Sequence, residues 1–292
     1  MEYNGKIDIL KENLCVLYTR TSICAEQREL VLKDIARLIC SQNSDSDLTA
    51  LRDLYLSTAS NLSAADELIL YSEILNTPAL SDKVKHLLII GSEDATPAGS
   101  HGKIAYTKNQ FNDLALAIMT DAMSNVKPLT VSSNIEACES VANGICEFCL
   151  LPVENTRDGK IFGFYSMLER YELKICNVCI LETDHDLNNI KYALISKSGM
   201  TMLPRRPRNT NFVFEFSVIN SNGDFIVELL EVAKKCGATL LSIDSRPIEY
   251  DPQLRRYLFG FLMGSSPLFR LYTALRYNGY SQIGLYPAPN NN

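Results

Sequence analysis

Hydrophobic periodicity changes once along the chain, near Lys103, and this change constrains the fold more than any other feature of the sequence. Before about residue 92, apolar residues such as Leu10, Leu14 and Leu17 recur at helical spacing, which predicts helices. Beyond Lys103, short apolar strands alternate with helices, a pattern typical of α/β layering. From Asn211 the predicted order is β-α-β-β-α-β, which indicates a ferredoxin-like sandwich.

We therefore predict an α+β protein of several domains: a helical segment over 1–95, an α/β unit over 103–198 and a ferredoxin-like unit over 211–288. Two stretches are predicted to be linkers. One is rich in small and turn-forming residues (EDATPAGSHG, 93–102), and the other is broken by proline and arginine (MLPRRPR, 202–208).

Charge and cysteine content narrow the classes of function. The 292 residues carry a net charge of −6, which argues against a nucleic-acid footprint. The N-terminus has no apolar signal core, and no apolar stretch is long enough to span a bilayer. Nine cysteines, an odd number scattered along an acidic chain, are typical of reduced thiols. We expect a soluble, cytoplasmic protein that binds neither nucleic acid nor membrane.

Two CxxC pairs, Cys146/Cys149 and Cys176/Cys179, have a spacing that often holds zinc. Both pairs fall in segments predicted to be strands, where side chains three residues apart point to opposite faces of the sheet. Neither pair is then placed to chelate one ion, and burial as structural thiols is the other interpretation. We favour buried thiols, and we expect no metal and no cofactor.

A polar turn over 151–161 (LPVENTRDGKI) follows the apolar run Ile145–Leu151 and places Glu154, Asn155 and Thr156 in a row. Side chains at the carboxyl end of a strand can point into a ligand crevice. Most clusters of Asn, Thr, Asp and Gly are instead simple turns. The local string leaves both interpretations open.

Residues 103–198 resemble prephenate dehydratase. Ser140–Gly144 (SVANG) and Leu151–Thr156 (LPVENT) are similar to the family's "VENG-A-Y" and "LPIENS" stretches, and Asn112 stands at the position of a family serine. The resemblance implies one lobe of a fold like that of the periplasmic binding proteins. It also implies that this lobe holds the catalytic residues, and these are Glu154, Asn155, Thr156, Asn112 and Lys191.

Two departures accompany this resemblance. The family has a second lobe before its "TRF" motif, whereas here only a few residues separate the apolar strand Ile175–Leu181 from Asp184–Tyr192. The "TRF" position reads Ile190-Lys191-Tyr192, and lysine cannot reproduce a bidentate arginine. The resemblance therefore implies conversion of prephenate to phenylpyruvate, CO2 and water at reduced activity. The alternative is a catalytically lapsed relative that works in sensing or assembly.

Residues 211–287 resemble the ACT domain that senses phenylalanine in these enzymes. Leu240–Pro247 (LLSIDSRP) is similar to the family's "ESRP" run, and Asn222–Phe225 stands where the family has a Gly-Ala-Leu turn. The resemblance implies L-phenylalanine as an effector and a homodimer or tetramer formed through this domain. The implied amino-acid-binding residues are Asn222, Gly223, Asp244, Ser245, Arg246 and Pro247. Alternatively, these residues only shape turns.

The N-terminal helices resemble all-helical chorismate mutase at Gln27–Leu32 and at 47–67. The resemblance implies a cationic pocket for the dianion chorismate, with Arg20, Arg28 and Glu29 as mutase-like residues. A solvated charged surface is the other interpretation, because Arg28, Lys33 and Arg37 spread over more than one helical face. Mutase, dehydratase and ACT segments in this order are the layout of the bifunctional P-protein of phenylalanine synthesis.

Overall fold

The helices and strands of the computed structural model follow the predicted change of periodicity. The residues described are 2–19, 25–42, 48–60, 62–77, 102–121, 123, 126–155, 159–161, 163–182, 189–197, 211–248, 251–264, 268–277 and 279–289. The helices are α1 (Glu2–Thr19), α2 (Ala25–Gln42), α3 (Leu48–Ala59), α4 (Ala64–Asn76), α5 (Gln110–Thr120), α6 (Asn134–Ala142), α7 (Phe164–Arg170), α8 (Phe225–Lys235) and α9 (Leu268–Arg276). The strands are β1 (Gly102–Thr107), β2 (Val126–Val131), β3 (Phe148–Asn155), β4 (Gly159–Lys160), β5 (Lys174–Leu181), β6 (Ile190–Ser196), β7 (Phe212–Asn220), β8 (Thr239–Ile248), β9 (Asp251–Met263) and β10 (Ser281–Pro287).

The chain forms two compact units. The first comprises Met1–Leu88, Ser221–Ala238 and Ser266–Tyr280, and the second comprises Ile89–Asn220, Thr239–Ser265 and Ser281–Asn292. The predicted linker 202–208 and nearly all of 93–102 lie outside the described residues.

The first unit is helical. Helix α2 packs against α1 and α4, and α9 packs against α3, α4 and α8. Its core includes Ile35 and Ile39 of α2 and Leu70, Tyr71 and Ile74 of α4, all fully or almost fully buried. These residues recur at helical spacing, so burial of one apolar stripe per helix explains the packing. Among the described residues, no helix is long and apolar enough to cross a membrane.

The second unit is built on one mixed sheet. Among the described residues the strand order is β2-β1-β3-β6-β5-β10-β7-β9-β8, with β4 paired to β3. The order β10-β7-β9-β8 is antiparallel throughout, and the predicted succession β-α-β-β-α-β over 211–287 is confirmed. Strands from 102–197 and from 212–287 thus share one sheet, while the division into three domains stays a prediction.

The two groups of strands meet where β10 pairs with β5, through Gly284 and Ile175. A Cβ placed on Gly284 would lie 2.8 Å from the Cβ of Ile175 and 3.1 Å from its carbonyl oxygen. A side chain would force the strands apart, so glycine is required for their close approach.

The predicted burial of the CxxC thiols is confirmed, but the predicted separation of each pair onto opposite faces of the sheet is wrong. Cys146 precedes β3 and lies in the same hydrophobic cluster as Cys149. Cys176 and Cys179 share a second cluster, because a register irregularity between Ile175 and Asn177 interrupts the alternation of β5. All four thiols are buried. Among the described residues, no three His, Cys, Asp or Glu side chains are grouped so as to hold a metal ion.

A buried carboxyl in the first unit links α4 to α9. Glu67 is 0% exposed, and its Oε1 lies 3.3 Å from Nη1 of Arg276. The rings of Tyr71 and its neighbours Tyr55 and Tyr272 surround this region, with centroids 4.7 and 5.5 Å from that of Tyr71. Burial raises the pKa of Glu67 to about 7, although the charge of Arg276 opposes the rise.

We predict that Glu67 makes stability fall as pH rises from about 5 to about 7. A carboxyl whose pKa is higher in the folded chain than in the unfolded chain binds more protons when folded, so deprotonation costs folding free energy. Thermal unfolding between pH 5 and 8 should show a loss of up to about 3 kcal/mol that Glu67→Gln removes. Glu73→Gln, on the same helix, serves as the control. Equal pH slopes for Glu67→Gln and the wild type would contradict the assignment.

Candidate functional site

Two of the predicted catalytic positions lie at the carboxyl end of β3. Glu154 and Asn155 close this strand, where they stand opposite Lys191 and Ile190 of β6. Directly opposed residues of paired strands project from the same face of a sheet, so Glu154 and Lys191 face the same side. The structure therefore places Glu154 and Lys191 on one face of the sheet, whereas Asn155, the next residue of β3, projects from the other face. Thr156 lies outside the described residues, and its role stays a prediction.

Asn112 is hydrogen-bonded at the turn between β1 and α5. Its buried side-chain amide donates to the carbonyl oxygen of Thr107 at 2.6 Å and to the hydroxyl of Thr107 at 2.7 Å. Both bonds tie α5 to the carboxyl end of β1. A hydrogen-bonded amide of this kind stabilises the strand-to-helix turn, and its catalytic role stays a prediction.

Lys191 is engaged by residues from the C-terminal strands. Its Nζ lies 3.6 Å from Oε1 of Glu215, donates to the hydroxyl of Tyr286 at 3.4 Å and stands 5.8 Å from the centroid of the same ring. Glu215, on β7, is only 6% exposed. It accepts hydrogen bonds from Tyr286 at Oε1 and from Tyr165 of α7 at Oε2, the latter at 3.2 Å. We call Lys191, Glu215, Tyr165 and Tyr286 the Glu215 cluster.

Both tyrosines of this cluster are held as neutral donors. Burial, followed by the charge of Glu215, raises the pKa of Tyr286 and of Tyr165 well above the usual value. The charge of Glu154 adds a smaller rise to both. Glu154 stands opposite two lysines, Lys191 of β6 and Lys160 of β4, and the buried carboxylate of Glu215 pairs with Lys191.

The sequence reasoning missed Glu215, Tyr165 and Tyr286. A signal for Glu215 was present, because it is the one charged residue in the otherwise apolar strand FVFEFSVIN. A carboxylate in a buried strand requires partners. Its partners come from 50 and 71 residues away along the chain, so no local pattern identifies them.

The mutase-like residues are occupied by ion pairs. Arg28 pairs with the buried carboxylate of Asp66 and donates to the hydroxyl of Ser63 at 3.3 Å. Glu29 pairs with Lys33 at 2.7 Å. Arg20 lies outside the described residues. These contacts join α2 to the start of α4 and strengthen α2 itself, as expected for pairs four residues apart.

The residues predicted to bind an amino acid are divided between the two units. Asn222 and Gly223 belong to the first unit, whereas 244–247 belong to the second. Arg246 donates to Asp244 at 3.3 Å, and Ser245 accepts from Arg255 at 3.1 Å. The proposed amino-acid site stays a prediction.

Comparison with known proteins agrees with the resemblance over the central segment. Residues 102–197 match the family model described as prephenate dehydratase. The structure of prephenate dehydratase from Streptococcus mutans is 17% identical, with a TM-score of 0.54, and the match covers 64% of this chain and 99% of that one. A second structure, GqqA, described as a novel type of quorum quenching acylase, is 20% identical, with a TM-score of 0.51 and coverage of 64% and 95%. No curated protein gave a match.

At these identities the solved structures show a shared fold, while the family model identifies the segment. The chorismate mutase and ACT resemblances have no counterpart in the matched family model and stay predictions. We conclude that residues 102–197 form a prephenate dehydratase-like domain.

Proposed function

We propose that the chain is a prephenate dehydratase-type protein that converts prephenate to phenylpyruvate, CO2 and water at a strongly reduced rate. The observation that supports this proposal is the pairing of Lys191 with Glu215 at 3.6 Å. Lys191 is a cation that stands opposite Glu154 of the matched motif, on β6, and Glu215 compensates its charge inside the protein.

The reaction sets clear demands on the site. The ring carboxylate leaves as CO2, its bond electrons complete the aromatic ring, and the ring hydroxyl leaves as water after it gains a proton. The protein must supply that proton and must bind two carboxylates with cations or N–H groups. We propose Thr156 as the donor, Asn155 as the orienting amide and Lys191 as the carboxylate partner.

The charges described above oppose the binding of the two carboxylates of the substrate. Glu215 neutralises Lys191, and Glu154 stands opposite Lys191 on the neighbouring strand. A dianionic substrate entering this region must compete with Glu215 for the ammonium and must approach a second carboxylate. Both effects weaken binding and the stabilisation of the transition state.

The sheet topology also supports a strongly reduced rate. Strands β5 and β6 are direct antiparallel neighbours, and the next strand beyond β5 is β10. The described residues of 102–197 thus form one layered lobe. A second lobe that closes over substrate excludes water and strengthens polar contacts, and a single lobe lacks that contribution.

We predict little or no phenylpyruvate formation from prephenate. Loss of one preorganised donor typically costs about 10²–10³ in rate, and here the "TRF" motif and the second lobe are both altered. Phenylpyruvate absorbance with purified protein measures this directly. Any activity found should largely disappear in Thr156→Ala and persist in the control Thr239→Ala. Turnover at ordinary enzymatic rates, of about 1 s⁻¹ or more, would refute the proposal.

A second candidate function, sensing or assembly through 211–288 without catalysis, is favoured by an exposed sheet edge. β8 is the last strand of the sheet, and its Leu240, Leu241 and Ile243 are exposed. An apolar edge of this kind tends to pair with another chain. For this candidate we propose a homodimer or tetramer, with L-phenylalanine as the ligand of Asn222, Gly223 and 244–247.

We predict a dimer or larger species at micromolar concentration in sedimentation velocity. Leu241→Lys, on the edge strand, should shift the protein toward monomer, while Leu30→Lys, an equally exposed leucine of α2, should not. Millimolar phenylalanine should raise the melting temperature by mass action. A wild-type monomer would defeat the assembly proposal, and an unchanged melting temperature would defeat the sensing proposal.

A further inference from the structure

A polar cavity lies in the sheet unit, between α7 and the strands β7 to β10. Its volume is about 550 Å3, which is within the range of small-molecule sites. Lys197, directly after β6, lines the cavity. Lys191 lies at the other end of the same strand. At about 3.4 Å per residue the two lysines are roughly 20 Å apart. The cavity is therefore distinct from the polar turn at the end of β3.

The lining of this cavity is cationic. Arg246 of β8, Arg256 of β9, Lys174 of β5 and Lys197 contribute four positive charges, against two carboxylates on and just after α7. One of these carboxylates, Glu169, pairs with Arg256. Arg246 pairs in turn with Asp244, at 3.3 Å. Counted with Asp244, the lining keeps an excess of one positive charge.

The remaining lining suits a compact organic ligand. Ser217 presents a buried hydroxyl, and Leu168, Leu173 and Leu258 supply an apolar floor. Arginine guanidinium groups bind carboxylates and phosphates through paired hydrogen bonds. Arginines on two neighbouring strands and lysines on two others suit two separate acid groups.

We propose that this cavity is a binding site for a small dianion with two carboxylate groups or one phosphate group. Tyr165 lines the cavity and also donates its hydroxyl to Glu215, so a ligand here contacts a residue of the Glu215 cluster. Binding at this cavity is independent of prephenate turnover and can be measured without it.

Isothermal titration calorimetry with glutarate, a dicarboxylate, and with inorganic phosphate tests the proposal. It also shows which of the two acid groups the cavity binds. We expect binding of at least one probe, at low millimolar affinity or better, that weakens as salt screens the charges. Arg256→Gln should weaken it about 10- to 100-fold. Lys197→Gln removes an exposed charge without breaking an internal pair and should weaken it by about tenfold.

Two control variants locate the bound probe. Arg255→Gln removes the same charge from the adjacent residue of β9, and Lys191→Gln removes the cation of the Glu215 cluster, and both should retain binding. If neither probe binds the wild type at a probe concentration of about 10 mM, the proposal is overturned. Equal affinity in Arg256→Gln, Lys197→Gln and Arg255→Gln would overturn it as well. Loss of binding only in Lys191→Gln would place the probe at the polar turn and contradict the assignment.

Discussion

The burial of Glu215 is the constraint on which the architecture of the sheet unit depends. A carboxylate in the apolar strand β7 costs several kcal/mol unless it is paired and hydrogen-bonded. Its partners come from three other elements, namely Tyr165 of α7, Lys191 of β6 and Tyr286 of β10. One charge thus fixes the relative positions of strands from the prephenate dehydratase-like domain and from the C-terminal region. Gly284 permits the close strand pairing that this arrangement requires.

The same interaction underlies our proposal that the polar turn converts prephenate at a strongly reduced rate. Enzymatic stabilisation of a dianion depends on cations that are positioned in advance and not already satisfied. Lys191 is satisfied by Glu215, and the tyrosines beside it are donors committed to the same carboxylate. The cluster therefore stabilises the sheet where a catalytic site would use its charge on substrate. The cavity beneath α7, with two arginines and two lysines in its lining, is a separate place for a bound dianion in our proposal.

The sequence predicted elements more reliably than it predicted contacts. Helical periodicity before residue 77 and strand–helix alternation after Lys103 both correspond to the described structure, because these patterns reflect which face of each element is buried. The strand predicted over Ile145–Leu151 is found at Phe148–Asn155, so Glu154 and Asn155 lie in the strand and not in the turn after it. The predicted cysteine geometry failed because an irregularity in β5 reversed the alternation at Cys176 and Cys179, and because Cys146 precedes β3. The Glu215 cluster was missed because its members are joined by strand pairing between distant segments.

Comparison of Tyr286→Phe with Tyr192→Phe in urea unfolding tests the central role of the buried carboxylate most directly. Tyr286 donates to Glu215, whereas Tyr192, also a buried tyrosine of the sheet, lies on β6 outside the Glu215 cluster. The account predicts that Tyr286→Phe lowers the free energy of unfolding by roughly 2 kcal/mol, and that Tyr192→Phe changes it by less than about 0.5 kcal/mol. Equal small losses in both variants would show that the sheet does not depend on the Glu215 cluster.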